Sequence, residues 1–197
     1  FHYYTHMFIL KKKYFFIIEN TKDIDLSNIK ICKKINIIYR NKKLNEKISN
    51  LLRFRKFCMS KRIKFYISND LNLLKKIKAD GLYISAKNKN LSLNILKKAN
   101  YDIIGSAHNH EEINIKKKQG CSTILFSRLF KTSYLNKKEY LGLIRFNLFS
   151  LTQKITLVPL GGIRLSNLNK MNIVKCNSFA VLSEIKKKPA KIINRLF

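Results

Sequence analysis

The stretch DIIGSAH, residues 102–108, decides the class of fold, because its apolar run is continuous and ends in serine and histidine. Continuous apolar runs of this kind are typical of strands that are buried on both faces of a parallel sheet. Seven further runs share this character: YFFIIE 14–19, INIIYR 35–40, KFYIS 64–68, GLYIS 81–85, STILFSRLF 122–130, ITLVPLGG 155–162 and SFAVLSEI 178–185. The sequence therefore predicts eight buried strands.

Segments with helical spacing of apolar residues lie between these runs, at 45–62, 91–99, 111–120 and 137–149. Strands that alternate with helices predict parallel βαβ units, and eight units can close into a (β/α)₈ TIM barrel. We predict one such α/β domain over residues 14–197, preceded by an N-terminal extension over residues 1–13. An open doubly wound sheet is the alternative, but no G-x-G-x-x-G follows the first run and 197 residues are few for eight open strands.

The chain is strongly basic, with 41 Lys and Arg against 11 Asp and Glu and a formal net charge of +30. Such a field could bind nucleic acid, but the lysines are scattered in short runs and do not alternate with aromatic residues. Lys, Asn and Ile all have A/T-rich codons, so their excess favours a compositional origin. We expect no dedicated nucleic-acid partner, and a field that attracts anionic phosphate groups.

No apolar run approaches the roughly 18–20 residues of a membrane span, so we expect no membrane association. The four cysteines include no C-x-x-C pair and no His at zinc-ligand spacing. Free thiols of this kind predict a protein of the reducing cytoplasm.

Polar residues follow every strand from the second onward, and in a barrel these ends form one rim that carries the active site. The residues are Arg40, Lys42, Asn69, Asp70, Ser85, Asn88, Ser106, His108, Lys131, Thr132, Ser133, Gly161, Gly162 and Ser183. Cations and hydrogen-bond donors dominate this set, which suits phosphate or diphosphate, with Asp70 available for Mg²⁺. Gly161–Gly162 would let backbone N–H groups approach an anion.

Each of these residues also has a purely structural interpretation. Asn69–Asp70 could be a helix N-cap, Gly161–Gly162 a tight turn, His108 a hydrogen-bonded structural residue and Arg40 a surface residue. The hypothesis of a shared site depends on all the strand ends being polar at once.

The order of these motifs resembles the thiamine phosphate synthase/TenI family of (β/α)₈ barrels. The family order is Q-x-R-x-K, N-D, A-D-G-x-H-x-G-Q-x-D, S-x-H, G-P-x-F-x-T-x-T-K, G-G-I and a terminal S-x-I. The corresponding stretches here are IYRNK 38–42, ND 69–70, ADGLYISAKN 79–88, SAH 106–108, SRLFKTSY 127–134, GGI 161–163 and SEI 183–185.

The resemblance implies that hydroxymethylpyrimidine diphosphate and thiazole phosphate are joined with loss of pyrophosphate. By resemblance, the pyrophosphate would be held by Arg40, Lys42, Asn69 and Ser106. The thiazole phosphate would be held by Thr132, Gly161, Gly162 and Ser183. Asp70 and Asn88 would be the ligands of Mg²⁺, the expected cofactor, and Ser106 and His108 the catalytic pair.

Several motif residues are replaced: the family glutamine is Ile38, the histidine of A-D-G-x-H is Tyr83, the second metal carboxylate is Asn88, and the glycine of G-P is Ser127. Three functions therefore stay open. The first is a divergent synthase, which the retained Arg40 and Asp70 favour. The second is a TenI-like thiazole tautomerase, with His108 as general acid and base. The third is a degenerate barrel that only binds a phosphorylated ligand.

Overall fold

The computed structural model describes residues 13–27, 29, 33–41, 46–132, 139–187, 191 and 193. Its centre is a closed barrel of eight parallel strands in sequence order. The strands are β1 Lys13–Ile18, β2 Ile35–Tyr39, β3 Lys64–Ser68, β4 Gly81–Ile84, β5 Asp102–Ala107, β6 Thr123–Ser127, β7 Thr156–Leu160 and β8 Ser178–Val181. The prediction of a TIM barrel is confirmed, and the open sheet is excluded.

Helices connect successive strands on the outside of the barrel. The α-helices are α1 Ile48–Ser60, α2 Leu71–Lys76, α3 Ile95–Lys98, α4 His110–Lys118, α5 Leu143–Leu151 and α6 Ser183–Lys187. Three 3-10 segments are also present in the described structure, Thr21–Asp23, Leu91–Asn94 and Leu165–Ile173. Residues 1–12 lie outside the described residues, so the predicted N-terminal extension stays a prediction.

The barrel closes where β1 pairs with β8, in a register that joins Lys13 to Ser178 and Phe16 to Val181. Every other neighbouring pair of strands is also parallel. Because parallel strands run in one direction, all eight carboxyl ends meet at the same rim.

The strands are apolar on both faces because each face packs against a different layer. In β1, Tyr14, Phe16 and Ile18 belong to the cluster between strands and helices, whereas Phe15 and Ile17 belong to the barrel interior. Side chains from all eight strands fill that interior: Phe15, Ile17, Ile38, Tyr66, Tyr83, Ile104, Leu125, Val158 and Ala180. The barrel is therefore a packed core, and a ligand has room only at its rim.

The amino end of the barrel is closed by a compact polar cluster around Asp102. Tyr66 donates its hydroxyl proton to Asp102 Oδ2 at 2.8 Å, and Lys64 Nζ lies 3.1 Å from the same oxygen. Gly81 packs directly against this cluster: a Cβ at this position would lie 2.1 Å from the carbonyl oxygen of Asp102. A glycine is therefore required at the start of β4.

The cysteines of the described residues, Cys58, Cys121 and Cys176, are free thiols. Burial raises the pKa of both Cys58 and Cys121 to about 12, so these thiols are protonated and unreactive at neutral pH. Among the helices that the structure describes, none has both the length and the apolar character needed to cross a membrane.

Candidate functional site

The carboxyl ends of β2 to β5 surround an open cavity of about 880 Å³. Six residues predicted from the sequence line it: Arg40, Asn69, Asp70, Ser85, Ser106 and His108. Lys42, predicted beside them, lies outside the described residues. The volume falls in the range of about 300–1,000 Å³ that is usual for small-molecule sites.

Arg40 follows β2 and brings a cation to the floor of this cavity. Its backbone N–H donates to the carbonyl oxygen of Ile18 at 2.8 Å, which fixes the start of the side chain. Its guanidinium lies 3.9 Å from Glu19 Oε1, but its Nε is buried and has no hydrogen-bond partner within the described part of the chain. A buried N–H without a partner is costly, and a bound anion would satisfy it.

Tyr83 connects Arg40 with Ser106 beneath the cavity. It is 2% exposed, and its hydroxyl lies close enough to both side chains for them to oppose the effect of burial on its pKa. Burial raises the pKa of Tyr83, so the phenol keeps its proton and can act as both donor and acceptor. The sequence marks Tyr83 only as a replaced histidine, although its position two residues after Gly81, on the same face of β4, was a sign that it faces inward.

Asn69 joins the loops that follow β3 and β4. Its Oδ1 accepts from the Ser85 N–H at 3.0 Å, and its Nδ2 donates to Ser85 Oγ at 2.9 Å. The residue has a positive φ of 58°, which asparagine tolerates better than most residues. Asn69 therefore positions the rim and holds the chain just before Asp70.

Asp70 is the N-cap of α2, because its Oδ1 accepts from the Leu73 N–H at 2.9 Å. The structural interpretation of this residue is therefore correct, yet the same side chain also lines the cavity. Among the described residues that line it, Asp70 is the one carboxylate. Its Oδ2 accepts no hydrogen bond from a described residue, so this oxygen can meet a cation that arrives with a ligand.

Asn88, the second predicted metal ligand, is not among the residues that line the cavity. Its Oδ1 accepts from the Asn90 N–H at 3.0 Å, so one of the two lone pairs of the oxygen that would meet a metal is used inside the loop. The described part of the chain contains no group of three or more His, Cys, Asp or Glu side chains placed to hold a metal. Asp70 fits a Mg²⁺ ion that a diphosphate also ligates, whereas Asn88 does not.

His108 stands at the exposed edge of the cavity and is held from two sides. Its Nδ1 lies 2.8 Å from Ser127 Oγ and 3.3 Å from the Ser127 carbonyl oxygen, and its backbone N–H donates to Glu112 Oε2 at 2.7 Å. Nε2 is therefore the ring nitrogen left for a molecule in the cavity. In the sequence Ser127 stands out only as a replaced glycine, and its contact with His108 was not predicted.

A second, smaller pocket of about 50 Å³ lies between the ends of β7 and β8. The four residues predicted to hold a second phosphate all line it: Thr132, Gly161, Gly162 and Ser183. Gly162 has a φ of 69°, and a Cβ there would lie 2.6 Å from the Phe130 carbonyl oxygen. The absence of a side chain thus lets the backbone at Phe130 and Lys131 approach Gly162 closely, and the pocket beside it has room for one small group only.

Thr132 is buried at Oγ1, and this atom has no hydrogen-bond partner in the described structure. We expect Thr132→Val, which keeps the shape and removes the hydroxyl, to weaken binding of a phosphorylated thiazole by about tenfold, the value of one hydrogen bond to a charged group. Titration calorimetry with that ligand measures the change. Affinity equal to that of the wild type would contradict a phosphate at this position.

The family model and the curated relatives that match the sequence agree on one family. The model of the thiamine monophosphate synthase family (TMP-TENI) matches residues 29–185. Thiamine-phosphate synthase of Pelagibacter ubique is 29% identical, and the match covers 95% of this chain and 97% of that protein. The enzyme of the same name from Prochlorococcus marinus is 28% identical over 72% of this chain and 41% of its own length.

Solved structures show the same fold. Thiamine phosphate pyrophosphorylase of Pyrococcus furiosus superposes with a TM-score of 0.66 at 16% identity, covering 94% of this chain and 96% of that chain. The YdjI aldolase of Escherichia coli K12 superposes with a TM-score of 0.63 at 8% identity, covering 93% and 79%. At such identities these likenesses concern the barrel alone.

Proposed function

Because this chain belongs to the thiamine monophosphate synthase family, we propose that it joins hydroxymethylpyrimidine diphosphate to thiazole phosphate and releases pyrophosphate. One observation carries the proposal: the rim of the barrel has two separate polar pockets, and each has a buried polar atom without a hydrogen-bond partner among the described residues, Arg40 Nε and Thr132 Oγ1. A reaction between two phosphorylated substrates needs two such places.

In this proposal the larger cavity holds the diphosphate. Arg40 donates its Nε–H to a phosphate oxygen, and Ser106 donates a second hydrogen bond from the opposite side of Tyr83. Asn69 acts indirectly, because its side chain is occupied with Ser85 and keeps the loop closed. The smaller pocket, with Thr132, holds the phosphate of the thiazole.

The proposed reaction breaks one carbon–oxygen bond and forms one carbon–nitrogen bond. The pyrophosphate leaves with the electron pair of the broken bond, and the pyrimidine methylene cation accepts the lone pair of the thiazole nitrogen. Arg40 and Ser106 stabilise the negative charge that develops on the leaving oxygens, and Tyr83 fixes both donors before the reaction begins.

Asp70 would hold Mg²⁺ when the diphosphate is bound, and the ion would supply further positive charge to the leaving group. One carboxylate is a poor magnesium site by itself, so tight binding of Mg²⁺ without diphosphate is not expected. The free thiols of Cys58, Cys121 and Cys176 support the proposal that the enzyme acts in the cytoplasm.

A thiazole tautomerase is the second candidate, and the fixed imidazole of His108 is the observation that favours it. With Nδ1 held by Ser127, Nε2 is presented to the cavity, as a general acid and base requires. The Nε of Arg40, which has no partner in the part of the chain that the structure describes, favours the synthase, because a tautomerase has no leaving pyrophosphate to hold. A barrel that only binds its ligand remains the third hypothesis.

Substitutions of Ser106 and His108 distinguish the two enzymes. For a synthase, Ser106→Ala loses one hydrogen bond to a charged group and slows coupling by about one to two decades, and His108→Ala costs less. For a tautomerase the order reverses: loss of His108 slows thiazole isomerisation by about two to four decades, and Mg²⁺ has no effect.

The measurement is the coupling of the two phosphorylated substrates, and separately thiazole isomerisation, for both variants with and without Mg²⁺. We expect the order of a synthase. Isomerisation that needs no Mg²⁺ and disappears in His108→Ala would contradict the proposal. A wild-type protein that is inactive in both assays would favour the barrel that only binds.

A further inference from the structure

The segment that follows β4, residues 85–90 (the β4 loop), is fixed by two side chains that are 0% exposed, Lys116 and Gln119. Lys116 Nζ donates to the carbonyl oxygen of Asn88 at 2.6 Å. Gln119 Nε2 donates to the carbonyl oxygens of Asn88 and Asn90 at 3.0 and 2.9 Å. The conformation of the β4 loop is therefore set by the protein interior before any ligand binds.

In this conformation the side chain of Asn88 is engaged within the loop and does not line the cavity. Its Oδ1 accepts from the Asn90 N–H at 3.0 Å, and its Nδ2 donates to Asn69 Oδ1 at 3.2 Å. Asn69 Oδ1 also accepts from the Ser85 N–H, so a rotation of the Asn88 amide would break contacts on both sides. The β4 loop thus offers the cavity no oxygen from Asn88 and no negative charge at that position.

The same loop carries a cation into the cavity. Lys87 lines it, as does Arg40, and Asp70 is the one carboxylate among the described lining residues. Fixed side-chain charge around the cavity is therefore positive on balance. Such a balance suits a diphosphate, which carries several negative charges, better than it suits a free divalent cation.

We infer that Lys87 replaces part of the divalent cation's role in this chain, so that the cavity binds diphosphate with little dependence on Mg²⁺. The inference rests on the proposed function, because it concerns the same diphosphate. An ammonium group beside the phosphate oxygens neutralises charge that a metal would otherwise neutralise. Asn88 would weaken a metal site because its amide has no negative charge. It does not weaken a site in which an ammonium group neutralises the phosphate.

Binding of inorganic pyrophosphate to the full chain tests the inference without any assay of activity. Titration calorimetry is done in excess EDTA and again in excess Mg²⁺, on the wild type, Lys87→Gln and Lys89→Gln. Lys89 is the matched control: it lies in the β4 loop, is exposed and does not line the cavity. Both substitutions remove one positive charge, so they change the long-range field alike.

We expect the wild type to bind pyrophosphate in EDTA within about fivefold of its affinity in Mg²⁺. Lys87→Gln should weaken binding in EDTA by about tenfold or more, the value of one charge-assisted hydrogen bond, while Lys89→Gln changes it by less than about twofold. Mg²⁺ should restore much of the loss in Lys87→Gln.

Two results would overturn the inference and leave the proposed function standing: binding of pyrophosphate by the wild type only when Mg²⁺ is present, or equal affinities of Lys87→Gln and Lys89→Gln in EDTA. A different result, no binding of pyrophosphate in either condition, would contradict the proposed function itself.

Discussion

Alanine in place of Gly81 is expected to lower the free energy of unfolding by about 3 kcal/mol. The added Cβ would lie 2.1 Å from the Asp102 carbonyl oxygen and 2.9 Å from the Tyr66 ring. Asp102 belongs to β5 and Tyr66 to β3, so the strands on both sides of β4 would have to move. Against a total stability of about 5–15 kcal/mol for a typical domain, this is a large loss.

Gly120→Ala is the control for this experiment. Unlike Gly81, Gly120 has a positive φ, 80°, but a Cβ there would lie 3.6 Å or more from its nearest neighbours, so only a backbone cost of about 1 kcal/mol is expected. Urea unfolding, followed by circular dichroism, measures the free energy of unfolding of both variants. Equal midpoints for the two variants would show that β4 tolerates a side chain at its start and would contradict the packing described above.

Arg40→Gln is expected to lower both pyrophosphate affinity and the rate of coupling by about two to three decades. The substitution removes a cation and the buried Nε–H, and each hydrogen bond to a charged group contributes about 1.5–3 kcal/mol. Stability should change little, because the side chain is 28% exposed and its one described ion pair is long, at 3.9 Å.

Arg40→Lys gives the finer test, since lysine keeps the charge but lacks the planar group that donates from Nε. We expect its affinity for pyrophosphate, measured by titration calorimetry, to lie between the affinities of the wild type and Arg40→Gln. Arg53→Gln, an exposed residue of α1 outside the cavity, controls for the loss of one charge. If Arg53→Gln and Arg40→Gln weaken binding equally, the effect is only that of net charge.

The barrel could be predicted from the sequence because strands that are buried on both faces have continuous apolar runs. KFYIS 64–68 coincides with β3, and the other runs differ from their strands mainly at the carboxyl end. The run at 122–130 was too long because Leu129 is 0% exposed in the loop after β6: apolar character reports burial, not conformation. The run at 178–185 was too long because α6 begins at Ser183.

The candidate site could be predicted only in part, because residue types at strand ends do not fix side-chain directions. The sequence placed Arg40 and Ser106 at one rim, but the hydroxyl of Tyr83 between them depends on the closed barrel. The role of Asn88 could not be foreseen, since its amide is oriented by contacts with Asn69 and Asn90. Ser127 and His108 meet only because β5 and β6 are neighbours.

The pairing of β1 with β8 has a consequence for how the chain is made. Lys13 of β1 and Ser178 of β8 are partners in the sheet. The edge of β1 that does not face β2 therefore has no partner strand until β8 has left the ribosome. Until then a nascent chain exposes two open strand edges, which can pair with other chains. Conditions that slow translation or delay the last strand should therefore increase aggregation of newly made protein more than they affect the finished barrel.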